Sequence, residues 1–468
     1  MTPRRNLLLV IALFTMTVAC TRPDATPNTE PLALPDTFSS STTVTTVDRT
    51  DQPTTTIDTE RAAIYPVDPL TLEAISGYAP ITMGDWFWGM TSEKGSWLAL
   101  NVGDDNGYNV ELRLIDLATW ETASTWDPVD QVVHVTDDGK VYIIENGPFT
   151  LQLRRANISQ PQPDTIAELP IGFIYWSELH VFGEEQAALF GDSGGVAVIV
   201  TVDLATGVVT EIPMPGVSIG IVEQVDIGES YPGSVEARPA VVWDADRFRA
   251  LIVHGNEDVV TEVDLTTGES TKHKFGQVAP DSGPLAPASD EMGAYVADTR
   301  SATLSGDGRS LHVATTSGEF EVTDDGWLAT SSPTGIITID TKTWQIVDHL
   351  EAPISQVHLS PDGARLLATG YGNTNGASTY EEESFGFYVI DPTGLEVIAH
   401  HGSDQPTRYC GSESFSRDGT IGYVTCWDTR TNIHVIDLAT GDIIRTRSDP
   451  EIQIFGEVGI LGEVQQGS

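Results

Sequence analysis

The chain has 468 residues, of which 24 are Lys or Arg and 68 are Asp or Glu, for a formal net charge of −44. That balance excludes nucleic acid as a partner, because holding phosphates requires a basic face. Two readings of the charge stay open: a solubility charge of the kind a salty habitat favours, and a surface for divalent cations or cationic ligands.

The chain opens with "MTPRRNLLLVIALFTMTVAC". Arg4 and Arg5 form a basic start, and Leu7 to Ala19 is an apolar run of 13 residues. Such a run is short for a bilayer span and has the length of a signal-peptide core. It ends in Thr17-Val18-Ala19-Cys20, which resembles the lipobox of bacterial lipoproteins. That resemblance implies diacylglycerylation of the Cys20 thiol and removal of residues 1–19. The protein would then sit outside the cytoplasm, anchored to the bacterial cell membrane by lipidated Cys20. Loss of the leader would leave 22 basic against 68 acidic residues, a net charge of −46.

Residues 21–60 change composition, with 13 Thr, 3 Ser, 5 Pro and one aromatic, Phe38. A stretch this polar buries too little apolar surface to offset its chain entropy and is expected to stay disordered. Residues 20–60 therefore read as a tether with a reach of about 35 Å, and residues 61–468 as the folded domain.

From there the chain alternates short β-branched runs with Gly, Asp and Asn turns, without a helix-period segment. One unit recurs: "VELRLIDLATWETAS" from Val110, "VIVTVDLATGVVTEI" from Val198, "VVTEVDLTTGESTKH" from Val259, "GIITIDTKTWQIVDH" from Gly335, "FGFYVIDPTGLEVIA" from Phe385 and "TNIHVIDLATGDIIR" from Thr431. Each reads strand, Asp, turn, strand, with the carboxylate able to accept turn N–H groups. Asp116, Asp203, Asp264, Asp340, Asp391 and Asp437 mark the copies, Asn157 fills the gap between the first two, and Asp68 begins a weaker one. A second hairpin precedes most of them, as in "VTDDGKVYII", "LSGDGRSLHVA", "LSPDGARLLAT" and "FSRDGTIGYVT", where Asp-Gly is the turn. Two hairpins per unit make a four-stranded antiparallel sheet repeated radially, the pattern of a β-propeller. "SPDGARLLAT" followed by "VIDPTG" resembles YVTN-type and WD40-like propeller repeats. The expectation is an all-β propeller of eight four-stranded blades, with seven as the alternative, closed by joining the N- and C-terminal segments.

Within this repeat lies "LFGDSGGVAV", whose G-D-S-G-G surrounds the nucleophilic serine of trypsin-like proteases. "EQAALF" before it and "VAVIVTVDL" after it read as the second and third strands of one blade. The glycines then form the hairpin turn between them. The upstream histidines, His134 and His180, lack the setting that family requires. Ser193 reads as a turn residue, and no catalytic residue is assigned.

With strands A to D running outward, A–B and C–D turns share one face of the disc, and B–C loops and D-to-A connections share the other. The first set is tight; the second holds the insertions Pro215 to Pro239, Gln277 to Thr299, Ser317 to Thr334 and Tyr371 to Ser384. Long loops on a rigid scaffold are where function usually resides. The ligand-face candidates are Asp104, Asp105, Asp324, Asp325, Trp327, Tyr371, Tyr380, Glu381 and Glu382, with Asp226 and Glu229 nearby in sequence. Carboxylates and rings in one place suit a cation, a cationic ligand or a sugar-like one. "NVGDDNGYN" has the oxygens for Ca²⁺ but not the twelve-residue EF-hand spacing. No cofactor or metal site is assigned, and Ca²⁺ stays open as a ligand.

Cys410 and Cys426 each lie eight residues from Asp418. A hairpin turning at Arg417-Asp418-Gly419 would set them opposite each other at a separation a disulfide tolerates, and an exported protein permits the bond. The function expected is a membrane-anchored binding or scaffold module on the cell envelope, without catalysis of its own. Its partner would be an envelope protein, peptide, glycan or cationic ligand. The alternative is an exported propeller enzyme, lactonase-like or quinone-dependent dehydrogenase-like. Against it, the turns lack the tryptophan that quinoproteins place after Thr-Gly, and no paired His and Arg constellation of a lactonase is visible.

Overall fold

A computed structural model describes most residues from Ala63 to Glu463. Residues 1–62, 277–294 and 464–468, with shorter stretches between, lie outside the described residues, and Cys20 and the tether with them. The chain divides into two units, Met1–Ile57 and Asp58–Ser468, and everything below concerns the second. No helix among the described residues is long and apolar enough to cross a membrane.

The fold is an all-β propeller. Blade I runs Trp86–Thr91, Trp97–Gly103, Val110–Asp116 and Glu121–Trp126, each strand antiparallel to the next. Blade II runs Gln131–Val135, Val141–Asn146, Leu151–Ala156 and Asp164–Leu169. In blade III the inner position is shared by Phe173–Ile174 and His180–Phe182, followed by Gln186–Ser193, Val196–Asp203 and Val209–Pro213. Blade IV comprises Ala240–Asp244, Arg249–Val253, Val259–Asp264 and Ser270–Lys274, and blade V comprises Tyr409–Phe415, Ile421–Trp427, Thr431–Asp437 and Ile443–Ser448.

These five are the sheets that stand as separate blades, so the expected count of eight, and the alternative of seven, is corrected to five. The physical reason lies in the insertions. Strands Ser310–Thr323 and Gly326–Asp340, and likewise Leu366–Gly376 and Tyr380–Asp391, run on past the length of a blade. Their extensions bond to each other, Leu328 to Ser331 against Asn373 to Gly376. Two repeat units thereby merge into one ten-stranded sheet, which also takes in Gly220–Val225 and Gly233–Arg238. The remaining copy, around Asp68, belongs to a three-stranded sheet in which Ala63–Pro66 lies between Ile81–Thr82 and Ile460–Glu463. The beginning and end of the fold share that sheet.

The core sits between sheets. Leu189, Val198 and Val200 of blade III meet Leu153 and Leu169 of blade II, and Phe190, Ile199 and Ile212 on its other face meet Ile252 and Val263 of blade IV. Ile64 of the three-stranded sheet packs on Leu98, Leu100 and Trp120 of blade I, while Leu72 packs on Tyr423, Ile433 and Val435 of blade V. Each sheet is thus buried on both faces, which is why its central strands read as continuous apolar runs.

The marker aspartates act as the repeat reading expects. Asp203 Oδ1 accepts the N–H of Ala205 at 3.0 Å and of Thr206 at 2.8 Å, and Asp264 and Asp340 repeat the geometry. The residue four after the Asp closes the turn in the left-handed region: Gly207 and Gly268 in two copies, Trp120 (φ 58°) and Trp344 (φ 57°) in others. The G-D-S-G-G segment is a two-residue hairpin turn, with Ser193 paired to Val196 and both Gly194 and Gly195 at positive φ. Cys410 pairs with Cys426 across two strands of blade V, and the two are joined by a disulfide.

Candidate functional site

In every meandering blade the A–B and C–D turns lie at one end of the strands, and the B–C loops at the other. The described parts of the insertions at 317–334 and 371–384 share that second end and are tied into a crown of β-ribbons. The strand order there is 316–323, 326–333, 371–376, 380–384, each pair antiparallel. Because side chains alternate faces along a strand, cross-strand register decides which residues face together. Glu319, Thr330, Thr374 and Glu381 form one row straight across the four strands, flanked by Glu321 and Glu383 on the same face. All four of these glutamates are exposed, and none is ion-paired among the described residues. The opposite face carries Phe320 and Ala329, then Val322 and Trp327. Phe320 and Trp327 lie 6.2 Å apart by ring centroids and pack with Val222 and Val235 of the neighbouring hairpin.

Of the residues singled out in sequence, Trp327 and Glu381 therefore come into one sheet but on opposite faces. Trp327 is half-buried in the apolar cluster, so it anchors the ribbon more than it offers a free ring. Tyr371 is half-buried where its ribbon begins, its backbone N–H donating to Ser355 Oγ at 3.2 Å. Tyr380 pairs with Asn375 and Glu382 with Asn373, their side chains lying outside the described residues. Asp104, Asp105, Asp226, Glu229, Asp324 and Asp325 lie outside the described residues as well.

The crown is fixed to the disc by a cluster that the sequence reading passed over. His254, Glu257 and Asp258 stand on the short B–C loop of blade IV. The His254 ring is fully buried, Nε2 at 2.8 Å from Thr261 Oγ1 and Nδ1 at 3.3 Å from Glu257 Oε2. Burial, with Lys272 and Arg300 adding, holds its pKa down at about 4, so the ring is neutral at pH 7. Arg300 Nε donates to the His254 carbonyl at 3.1 Å, and its guanidinium also reaches Asp258 and Thr315. Burial lowers the Arg300 pKa, with Asp258 and Asp298 opposing. Asp298 Oδ1 accepts the Gly318 N–H at 2.8 Å, at the root of the first ribbon. His254 Nδ1 makes no hydrogen bond among the described residues, but the rest of the cluster ties the loop to the first ribbon through Thr261, Arg300, Asp258 and Asp298, which makes it a clamp. The signal for it was a His, Glu and Asp within five residues, hidden because the loop is short.

On the inner strands, Glu413 lies beside the disulfide with its side chain 2% exposed. It accepts from Thr369 Oγ1 and stands 3.6 Å from His358 Nε2. A β-bulge between Gly411 and Ser414 turns this part of the strand. Among the described residues no group of three or more His, Cys, Asp or Glu is arranged to hold a metal ion.

No protein-family model matches the chain, and no curated protein matches it. Solved structures do. The Sqt1 protein of Chaetomium thermophilum aligns at TM-score 0.47 and 12% identity, over 86% of this chain and 96% of that one. A eukaryotic initiation factor aligns at TM-score 0.45 and 12% identity, over 90% and 94%. The dihydro-heme d1 dehydrogenase NirN aligns at TM-score 0.44 and 14% identity, over 86% and 76%. The likeness concerns architecture alone. Propellers of this kind include binding proteins and enzymes.

Proposed function

We propose that this protein is a binding module of the cell envelope, tethered through lipidated Cys20, that takes a cationic protein or peptide segment on the acidic face of its crown. One observation carries the reading: four exposed glutamates, Glu319, Glu321, Glu381 and Glu383, share one face of a four-stranded ribbon, and none has an ion-pair partner among the described residues. Unpaired like charges on one surface repel, and a basic partner relieves that repulsion. The threonines between them supply hydroxyls for backbone contacts. A site of this kind needs no chemistry of its own.

The test uses lysine-rich decapeptides and lysine-free controls, titrated calorimetrically against the full chain. Binding of the lysine-rich set, weakening steeply with salt, is expected. Changing all four of those glutamates to Gln should weaken it about tenfold or more. Equal affinity for both peptide sets, or indifference to the four changes, rejects the reading. Separately, Cys20→Ala should move the protein from the membrane fraction to the soluble one.

A further inference from the structure

The other end of the blades holds a feature that the crown does not use. Between blades III and IV, at the end where the tight turns lie, a cavity of about 630 Å³ opens. Small-molecule sites generally span about 300–1,000 Å³. One wall carries Gln186, Thr201 and Thr210, the other Phe248 and Thr266 of blade IV, over a buried floor that includes Ile212 and Leu265.

The cavity exists because one junction departs from the repeat. In three copies, the residue four after the marker aspartate closes tightly onto the outer strand of the preceding unit. A Cβ on Gly207 would sit 2.3 Å from the Ile166 carbonyl oxygen, and one on Gly441 would sit 2.4 Å from Ala399 Cβ. Trp344 stacks on His273 with centroids 3.9 Å apart. At Gly268 the nearest atom to such a Cβ is Ile212 Cγ1, at 3.7 Å. The turn stands off, and polar side chains line the gap that results. Thr201 and Thr210 face each other across strands. Their hydroxyls and the Gln186 amide are engaged with no other side chain among the described residues. Phe248 is held in the left-handed region at φ 49°, its carbonyl accepting the Leu265 N–H at 3.1 Å. That conformation closes the 3-10 turn Ala245–Arg247, the Phe248 N–H donating to the Ala245 carbonyl at 3.4 Å.

We infer that this cavity is a binding site for a neutral hydroxylated ligand, a saccharide of one or two rings. Hydroxyls and an amide both donate and accept, which matches sugar hydroxyls, and the half-buried Phe248 ring, packed against Phe182, adds an apolar edge beside them. No Lys or Arg lines the cavity, so an anion would find no countercharge. Glu211 lies between Thr210 and Ile212 on its strand, so its side chain belongs to the opposite face of blade III and gives a cation no charge in the cavity. The site is independent of the crown, at the opposite end of the blades.

The test titrates maltose, cellobiose and N,N′-diacetylchitobiose against the full chain by calorimetry and saturation-transfer NMR, with putrescine as a cationic control. Gly268→Trp copies the sister turns at Trp120 and Trp344, so the backbone accepts it, and it fills the gap. Binding of at least one saccharide is expected, lost in Gly268→Trp and weakened about tenfold in the Thr201→Val, Thr210→Val double variant. The inference is overturned if no saccharide binds at millimolar concentration, if binding ignores both variants, or if putrescine is preferred.

Discussion

At the scale of single residues, the fold is held by side chains that satisfy the backbone where strands end. The marker aspartates do so on the surface. For Asp203, hydrogen bonds from the Thr206 N–H, the Thr206 hydroxyl and the Ala205 N–H hold the carboxyl below its usual range. The same holds for Asp264 and Asp340. The unfolded chain takes up these protons first, so this contribution is present above pH 3.8 and is lost only below it. Buried histidines set an earlier limit. His254 and His312 are essentially unexposed, and burial brings both from 6.5 to about 4. An unfolded histidine protonates near 6.5, so stability is full above that pH and drains as pH falls toward 4, on the order of 3 kcal/mol for each ring. Urea midpoints measured from pH 7 to pH 4.5 should fall accordingly. His312→Gln, which keeps a polar atom beside Thr338 but does not titrate, should show a shallower decline. A flat profile in the parent protein would contradict the burial. The aspartates could be recognised in sequence because their chemistry is local. The histidines could not, because burial comes from neighbouring strands.

At the scale of elements, the ribbons and hairpins show where reading by repeat stops. The strand–Asp–turn unit located strands, turns and the Ser193 hairpin, since each depends on residues a few positions apart. It did not show that Leu328 to Ser331 would pair with Asn373 to Gly376. That pairing joins polar segments more than forty residues apart by backbone bonds, which leave no mark on side-chain pattern. The disulfide is the opposite case, readable from spacing because a hairpin places its cysteines in register. It links residues 16 apart, a loop for which the loss of unfolded-state entropy amounts to about 3 kcal/mol. Replacing both Cys410 and Cys426 by Ala should lower unfolding free energy by about that amount in denaturant titrations. Hydrogen exchange should rise first in blade V. An unchanged midpoint would mean that the bond constrains little in the unfolded chain.

For the whole molecule, stability depends on closing the circle of sheets. Ile64 packs against blade I and Leu72 against blade V, and the strand carrying Ile64 is held by Ile460–Glu463. Arg447, from blade V, donates to the Leu72 carbonyl at the same seam. Removing residues 460–468 leaves Ala63–Pro66 with one open edge and exposes the seam to water. A loss on the order of 3 kcal/mol is expected. Amide exchange should accelerate in blades I and V while blades II and III stay protected. Uniform exchange throughout would argue that closure is not the weak point.

The sequence by itself determined the architecture and the turn chemistry, because alternation, β-branched runs and capping aspartates act over a few residues. It also marked one end of the blades as the place of long insertions, since an antiparallel meander assigns every loop to a side. Tertiary structure alone decided how many sheets remain separate, which crown residues share a face, and that the turn at Gly268 stands away from its neighbour. Those outcomes rest on register and on distances between units remote in the chain, and no local pattern of residues encodes them.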